Sequence, residues 1–247
     1  MSNILIGIIV GLIMGLTGAG GALISIPLFL GLMNVSLKEA TVLSLIAVML
    51  GSLINLLGAK SHTDKKMVLI FVAFGALANY LTLPLKETLP NLLIALLLSA
   101  IALFSVWSLW KKESPTAHIP AKNHGIKMIA TGLFLGVITT LTGLGGGVML
   151  IPILMSWFGK SYDEALPVSL GTILFISLSS FLMQKKMALE LISPSEIGFI
   201  ALGTLMAFFS LKFILKRTNP VGLLFLRKFL FTLVTIYSIT SVLVKSF

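Results

Sequence analysis

Thr17-Gly18-Ala19-Gly20-Gly21 stands inside 37 uncharged residues at the start of the chain, and it returns as Thr142-Gly143-Leu144-Gly145-Gly146 inside a second uncharged run, Met128 to Gly159. Each copy follows a stretch of about fourteen apolar residues, and each is followed at the same distance by a proline, Pro27 or Pro152. Consecutive glycines weaken a helix. In a bilayer, backbone outside a helix is tolerated only where protein buries it or where it lines a cavity. Paired breaks at corresponding positions of two halves therefore point to a ligand site between them.

The surrounding composition fits that setting. The chain has 247 residues, 57% of them hydrophobic and 11% charged, with a mean hydropathy of +1.09. Long apolar runs recur throughout, which marks an integral membrane protein. The net charge of +10 lies between the apolar runs, where basic residues orient spans and meet anionic headgroups. Membrane lipids are thus the expected partner of these charges, and nucleic acid is not. The chain contains no cysteine, which excludes disulfides, thiolate metal sites and cysteine nucleophiles. His62, His118 and His124 fall in polar connections without metal-ligand spacing, so neither a metal nor another cofactor is expected. No basic residue precedes Lys38, so the n-region of a cleaved signal peptide is missing and the first segment is expected to stay.

Apolar segments run over 3–16, 22–34, 40–59, 67–85 and 90–110, then over 128–141, 147–158, 165–184, 195–211 and 221–244. Residues 1–110 and 128–247 are read as two membrane repeats joined by a polar linker, 111–127. A shift of 125 residues lays Gly11–Leu45 on Gly136–Leu170 without a gap. It matches Thr17 with Thr142, Gly18 with Gly143, Gly20 with Gly145, Gly21 with Gly146, Pro27 with Pro152, Ser36 with Ser161, Glu39 with Glu164 and Ser44 with Ser169. Chance similarity between leucine-rich spans would match leucines; this one matches glycine, proline, threonine and glutamate.

The two short segments of each half fall below the roughly 20 residues of a spanning helix. They are a re-entrant hairpin, two short spans or one broken span. The first two options invert one repeat relative to the other. On that scheme one face collects thirteen basic residues, namely Lys60, Lys65, Lys66, Lys111, Lys112, Lys122, Lys127, Lys160, Lys212, Lys216, Arg217, Arg227 and Lys228. The other face keeps Lys38, Lys86, Lys185, Lys186 and Lys245. A broken span would divide the charges almost evenly, so positive-inside counting favours inversion, with the linker cytoplasmic and both termini outside. The expected fold is an all-α polytopic membrane protein of two inverted repeats, with about eight transmembrane helices plus two short broken or re-entrant helix pairs.

The helices that begin after Gly21 and Gly146 present unsatisfied N–H groups and a positive dipole end, a ready anion site. The expected substrate-binding residues are Thr17, Gly18, Gly20, Gly21, Thr142, Gly143, Gly145 and Gly146. Asn55 and Asn79, polar residues inside apolar spans, join them either as site-lining groups or as interhelical ties. Each threonine either gives its hydroxyl to the anion or bonds its own backbone one turn back. Gly132-xxx-Gly136 reads as a packing face, and Ser36-Leu-Lys-Glu39 and Ser161-Tyr-Asp-Glu164 read as capping boxes. A dinucleotide fingerprint fails, because both glycine runs lack the third glycine and neither follows a soluble strand. Without a buried histidine or carboxylate no catalytic residues are expected, and an enzyme is not.

At these residues the chain resembles the sulfite exporter TauE/SafE family of membrane permeases. The likeness rests on Gly11 to Pro27, its copy Gly136 to Pro152, and the S-x-x-E-A stretches that follow. Leu144 and Gly147 depart from Ala19 and Ala22, so the two halves need not bind alike. The resemblance implies a multi-pass protein of the cell inner (plasma) membrane that carries sulfite, a sulfonate or a related organic anion. A homodimer stays open as its assembly. The alternative function is a membrane scaffold or assembly factor without transport.

Overall fold

The computed structural model describes residues 25–27, 29–31, 35–58, 63–110 and 124–191, together with isolated positions from 198 to 240. The described elements are helical throughout: α1 (Leu37–Gly58), α2 (Lys65–Thr88), α3 (Asn91–Trp110), α4 (His124–Thr142), α5 (Gly147–Phe158) and α6 (Tyr162–Leu191). Four stretches are long and apolar enough to cross a membrane: Leu37–Leu57, Lys65–Thr88, Gly125–Thr142 and Tyr162–Gln184. The protein is therefore an all-helical, multi-pass membrane protein. The copy of the glycine motif at Thr17, Gly18, Gly20 and Gly21 lies outside the described residues.

Helix starts follow the local chemistry. Ser36 and Glu39 cap α1 reciprocally: the Ser36 N–H donates to Glu39 Oε2 at 2.8 Å, and the Glu39 N–H donates to Ser36 Oγ at 3.4 Å. At α6 both donors of Ser161, its N–H and its hydroxyl, reach Glu164 Oε2 at 2.9 Å. These carboxylates are thus spent on helix ends. Asp64 caps α2 by accepting from the Met67 N–H at 3.2 Å. Several helices are longer than their apolar runs suggested: α2 covers Lys65–Thr88 against 67–85, and α6 covers Tyr162–Leu191 against 165–184. α4 begins at His124, inside the stretch assigned to the linker, because Gly125 to Lys127 extend it toward the polar end.

Packing fixes the directions of the helices. Gly132 lies on Phe71, Gly136 on Gly75 and Ala78, and Thr140 on Asn79, so α4 runs parallel to α2. A Cβ on Gly136 would collide with the Gly75 carbonyl oxygen. The small-residue face thus lets two backbones approach closely, as expected in a membrane where dispersion contacts drive association. Val68 meets Gly171, Gly75 meets Ile176 and Lys86 meets Gln184, so α6 is parallel to α2 as well. α1 runs the other way. Thr41 and Gln184 both reach Lys86, whereas Val48 and Ser177 both flank Gly145, so α1 and α6 are antiparallel.

α5 turns back along α4. Phe158, its last residue, packs edge-on against Phe71 with centroids 6.0 Å apart, and Lys160 pairs with Asp64 at 3.3 Å. The start of α4 and the end of α5 therefore lie at the same end of α2, and the turn between them lies inside the bundle. Two apolar cores flank it. One gathers Phe29, Leu43, Ala47, Ile94, Leu98, Leu144 and Ile173, and the other gathers Phe71, Leu135, Leu150, Leu154 and Ile176.

Candidate substrate site

The turn is built from three residues in the left-handed region: Gly143 at φ 69°, Gly145 at φ 65° and Gly146 at φ 68°. Gly143 ends α4 as its N–H donates to the Thr139 carbonyl at 2.9 Å. A left-handed residue just past the last turn is the usual glycine stop. The backbone then crosses Leu144, which is buried, and re-enters a helix at Gly147 with no side chain capping that N-terminus. Both flanks of the turn are tight. A Cβ on Gly143 would strike the Thr41 carbonyl oxygen and lie 2.5 Å from Ser44 Oγ. On Gly145 it would lie 2.6 Å from Val48 Cγ1 and 2.9 Å from Ser177 Oγ. Val48 and Ile173 sit near the middle of α1 and α6, so the break lies deep in the bundle.

The polar groups around it divide into two kinds. Ser44 donates to the Thr41 carbonyl at 2.7 Å and to the Gly143 carbonyl at 2.9 Å, pinning the turn to α1. Thr142 donates to the Ile138 carbonyl at 2.6 Å, and its oxygen accepts from the Leu144 N–H at 3.4 Å. Its donor therefore goes one helical turn back, as membrane threonines often do. Four other buried hydroxyls, those of Thr139, Ser169, Thr172 and Ser177, have no partner among the described residues. Each such orphan costs about 1–3 kcal/mol.

The two asparagines separate as well. Asn79 Nδ2 donates to the Ile176 carbonyl and to Ser179 Oγ, both at 3.1 Å, and its Oδ1 accepts from Thr140 at 2.8 Å. It ties α2, α4 and α6 together with its amide fully used. Asn55 donates to the Gly51 carbonyl of its own helix at 3.0 Å and is half-buried.

Reading the sequence by spans passes over both Ser177 and Lys86. Lys86 was assigned to a segment edge, yet it is 2% exposed. Its Nζ donates to Thr41 Oγ1 at 2.8 Å and to Gln184 Oε1 at 2.7 Å. Gln184 in turn donates to Ser180 Oγ and to the Ser180 carbonyl. The spacing held the signal: Gly75, Asn79, Thr82 and Lys86 recur at three and four residues, so they form one face of α2. Ser169, Thr172, Ser177, Ser180 and Gln184 form the corresponding face of α6. An apolar groove lined by Leu56, Val68, Leu69, Val72 and Phe175 lies elsewhere, toward the Asp64 end.

Apolar helices thus pack around a glycine break, with the Ser177 hydroxyl, unpartnered among the described residues, against Gly145. Residues 3–240 match the family described as Sulfite exporter TauE/SafE. The match covers nearly the whole chain, and the chain belongs to that family of membrane transporters. Neither the curated proteins nor the solved structures yield a match.

Proposed function

We propose that the chain exports a small sulfur oxyanion or related organic anion by alternating access, holding it at the break between α4 and α5. The observation that carries this reading is Gly145. It packs against the Ser177 hydroxyl, which has no partner among the described residues, at the N-terminus of α5, which no side chain caps. A helix N-terminus carries roughly half a positive charge. With hydroxyl donors beside it, it replaces the hydration shell of an oxyanion. Thr17, Gly18, Gly20 and Gly21 supply the matching break in the first half. Thr142 shapes the second turn, and Asn79 holds the helices that frame it.

The inverted-repeat scheme has support of two kinds. The shift of 125 residues carries α1 onto α6, and these helices run antiparallel, as a twofold axis in the membrane plane requires. The Lys160–Asp64 pair brings together two segments that charge counting assigns to the cytoplasmic face. On that scheme the Lys86 end of α2 faces outward, and the protein sits in the inner membrane. Moving one charge through the potential is worth about 2.3 kcal/mol per 100 mV, so an inside-negative cell drives anions outward without a coupled ion. Flux of radiolabelled sulfite from proteoliposomes tests the reading. The wild type transports, and Gly145→Val inserts and purifies but does not. Equal flux from both would make the break a packing device. Cysteine accessibility on the cysteine-free chain tests the topology, and a cytoplasmic C-terminus would overturn it.

A further inference from the structure

Among the described residues, the cation beside the break has no counter-charge. An ammonium group has three donors; Thr41 and Gln184 take two of those of Lys86, and both are neutral. Among the described residues the ion pair is Lys160–Asp64, and no carboxylate pairs with Lys86. Two described acidic residues near that end, Glu39 and Glu87, are otherwise engaged or turned outward. Glu39 binds the Ser36 N–H. Glu87 is exposed, and its carbonyl takes the second cation nearby, Lys38, at 2.8 Å. A buried charge without an opposite partner is expensive and is kept where something supplies the missing charge.

The position of Lys86 says what does. Thr41 accepts from Lys86 through its hydroxyl, and its carbonyl oxygen is the atom against which Gly143 packs. Ser44, one turn along α1, bonds both that carbonyl and the Gly143 carbonyl. One residue, Thr41, thus separates the ammonium group from the glycine break, and the orphan hydroxyls of Thr139 and Ser177 lie on the helices that flank it. Among the described residues, the groups around the break are neutral donors and one cation, and none carries a negative charge.

We infer that Lys86 is the resident counter-charge of the transported anion, pairing with it beside the Gly143–Gly146 break and favouring monoanions such as hydrogen sulfite or a sulfonate. The inference rests on the transport reading above and adds the group that carries the charge. One buried cation neutralises one negative charge; a dianion would leave a net charge in a medium where desolvation is costly. Lys86 serves both the empty and the loaded site. When the site is empty, Thr41 and Gln184 solvate it, and when an oxyanion arrives, the third N–H and the charge are free to meet it.

The test separates charge from hydrogen bonding. Lys86→Gln keeps a donor for Thr41 and Gln184 but removes the charge, whereas Lys86→Arg keeps the charge. Equilibrium binding of radiolabelled sulfite to the purified full chain is measured in mildly acid buffer, where sulfite is chiefly the monoanion. Lys86→Gln should weaken it about tenfold to a hundredfold, the range of one hydrogen bond to a charged group. Lys86→Arg should restore most of it, and sulfate should compete poorly with wild-type binding. If Lys86→Gln binds like wild type, or Gln and Arg lose binding alike, Lys86 is a helix tie and the inference falls. Should Lys86→Gln fail to fold, Lys86→Arg and the sulfate competition decide alone: lost binding in folded Lys86→Arg, or equal competition by sulfate, overturns it. Loss of binding in Gly145→Val with full binding in Lys86→Gln would leave the transport reading standing without this addition. No sulfite binding by the wild type would remove both.

Discussion

Asn79 and Ser177 are both buried where helices meet, yet one is saturated and the other is bare. Asn79 gives both N–H donors and accepts a third bond, joining α2, α4 and α6. Ser177, on the same helix α6 as Asn79's acceptors Ile176 and Ser179, has no partner among the described residues and lies against Gly145. A bilayer offers no water to satisfy a stray polar group. The saturated cluster therefore reads as the part that holds the bundle together, and the bare one as the part that waits for a ligand. The same polar chemistry serves two ends, and the difference lies in whether the fold itself closes the hydrogen bonds.

Substitutions that damage one cluster without the other put this contrast at risk. The largest effect belongs to Gly143, where any side chain meets both a left-handed backbone and the Thr41 carbonyl oxygen. Gly143→Ala should cost about 3 kcal/mol or more, from the conformational penalty and the collision together. A lower thermal midpoint in detergent would report it. Asn79→Leu should cost about 2 kcal/mol, because interhelical hydrogen bonds in membranes average about 0.6 kcal/mol each and three are lost. Its anion affinity per folded molecule should stay close to wild type; a selective loss of affinity would move Asn79 into the site.

Ser177→Ala should behave oppositely. Removing an unpaired hydroxyl leaves the thermal midpoint unchanged or raises it. Sulfite affinity should fall about tenfold, the lower end for a hydrogen bond to a charged group. Thr142→Val sharpens the comparison, since its donor already serves the Ile138 carbonyl. It should change affinity less than Ser177→Ala does. The smallest effect belongs to Asn55, which bonds only within its own helix; Asn55→Leu should shift stability by under about 0.5 kcal/mol and leave binding alone.

Much of this was legible in the residues. The second TGxGG copy and its spacing to proline marked the break between α4 and α5, because consecutive glycines inside an apolar run have few other uses in a membrane. The S-x-x-E boxes marked the starts of α1 and α6, and Gly132-xxx-Gly136 marked a helix contact. Local rules of capping and small-residue packing determine these, so one stretch of chain suffices to read them. The length of α4 was misjudged for a related reason. Apolar periodicity reports where a helix meets lipid or protein, and Gly125 to Lys127 continue the helix past that boundary.

By itself the sequence determined the class: an all-helical membrane protein resembling an anion exporter. Only the tertiary structure decided which polar groups are spent. Thr142 carries the same hydroxyl donor on paper as Ser177, and their roles part because Thr142 bonds the Ile138 carbonyl while Ser177 finds no partner among the described residues. Lys86 shows the same limit most plainly. Two residues before the end of α2 it reads as a charge at the membrane edge, and its burial follows from α1 and α6 closing over it. Hydrogen bonds between helices 45 and 98 residues apart in the chain make that enclosure. A sequence pattern records the face a residue lies on, whereas the partner it meets is settled when distant helices pack.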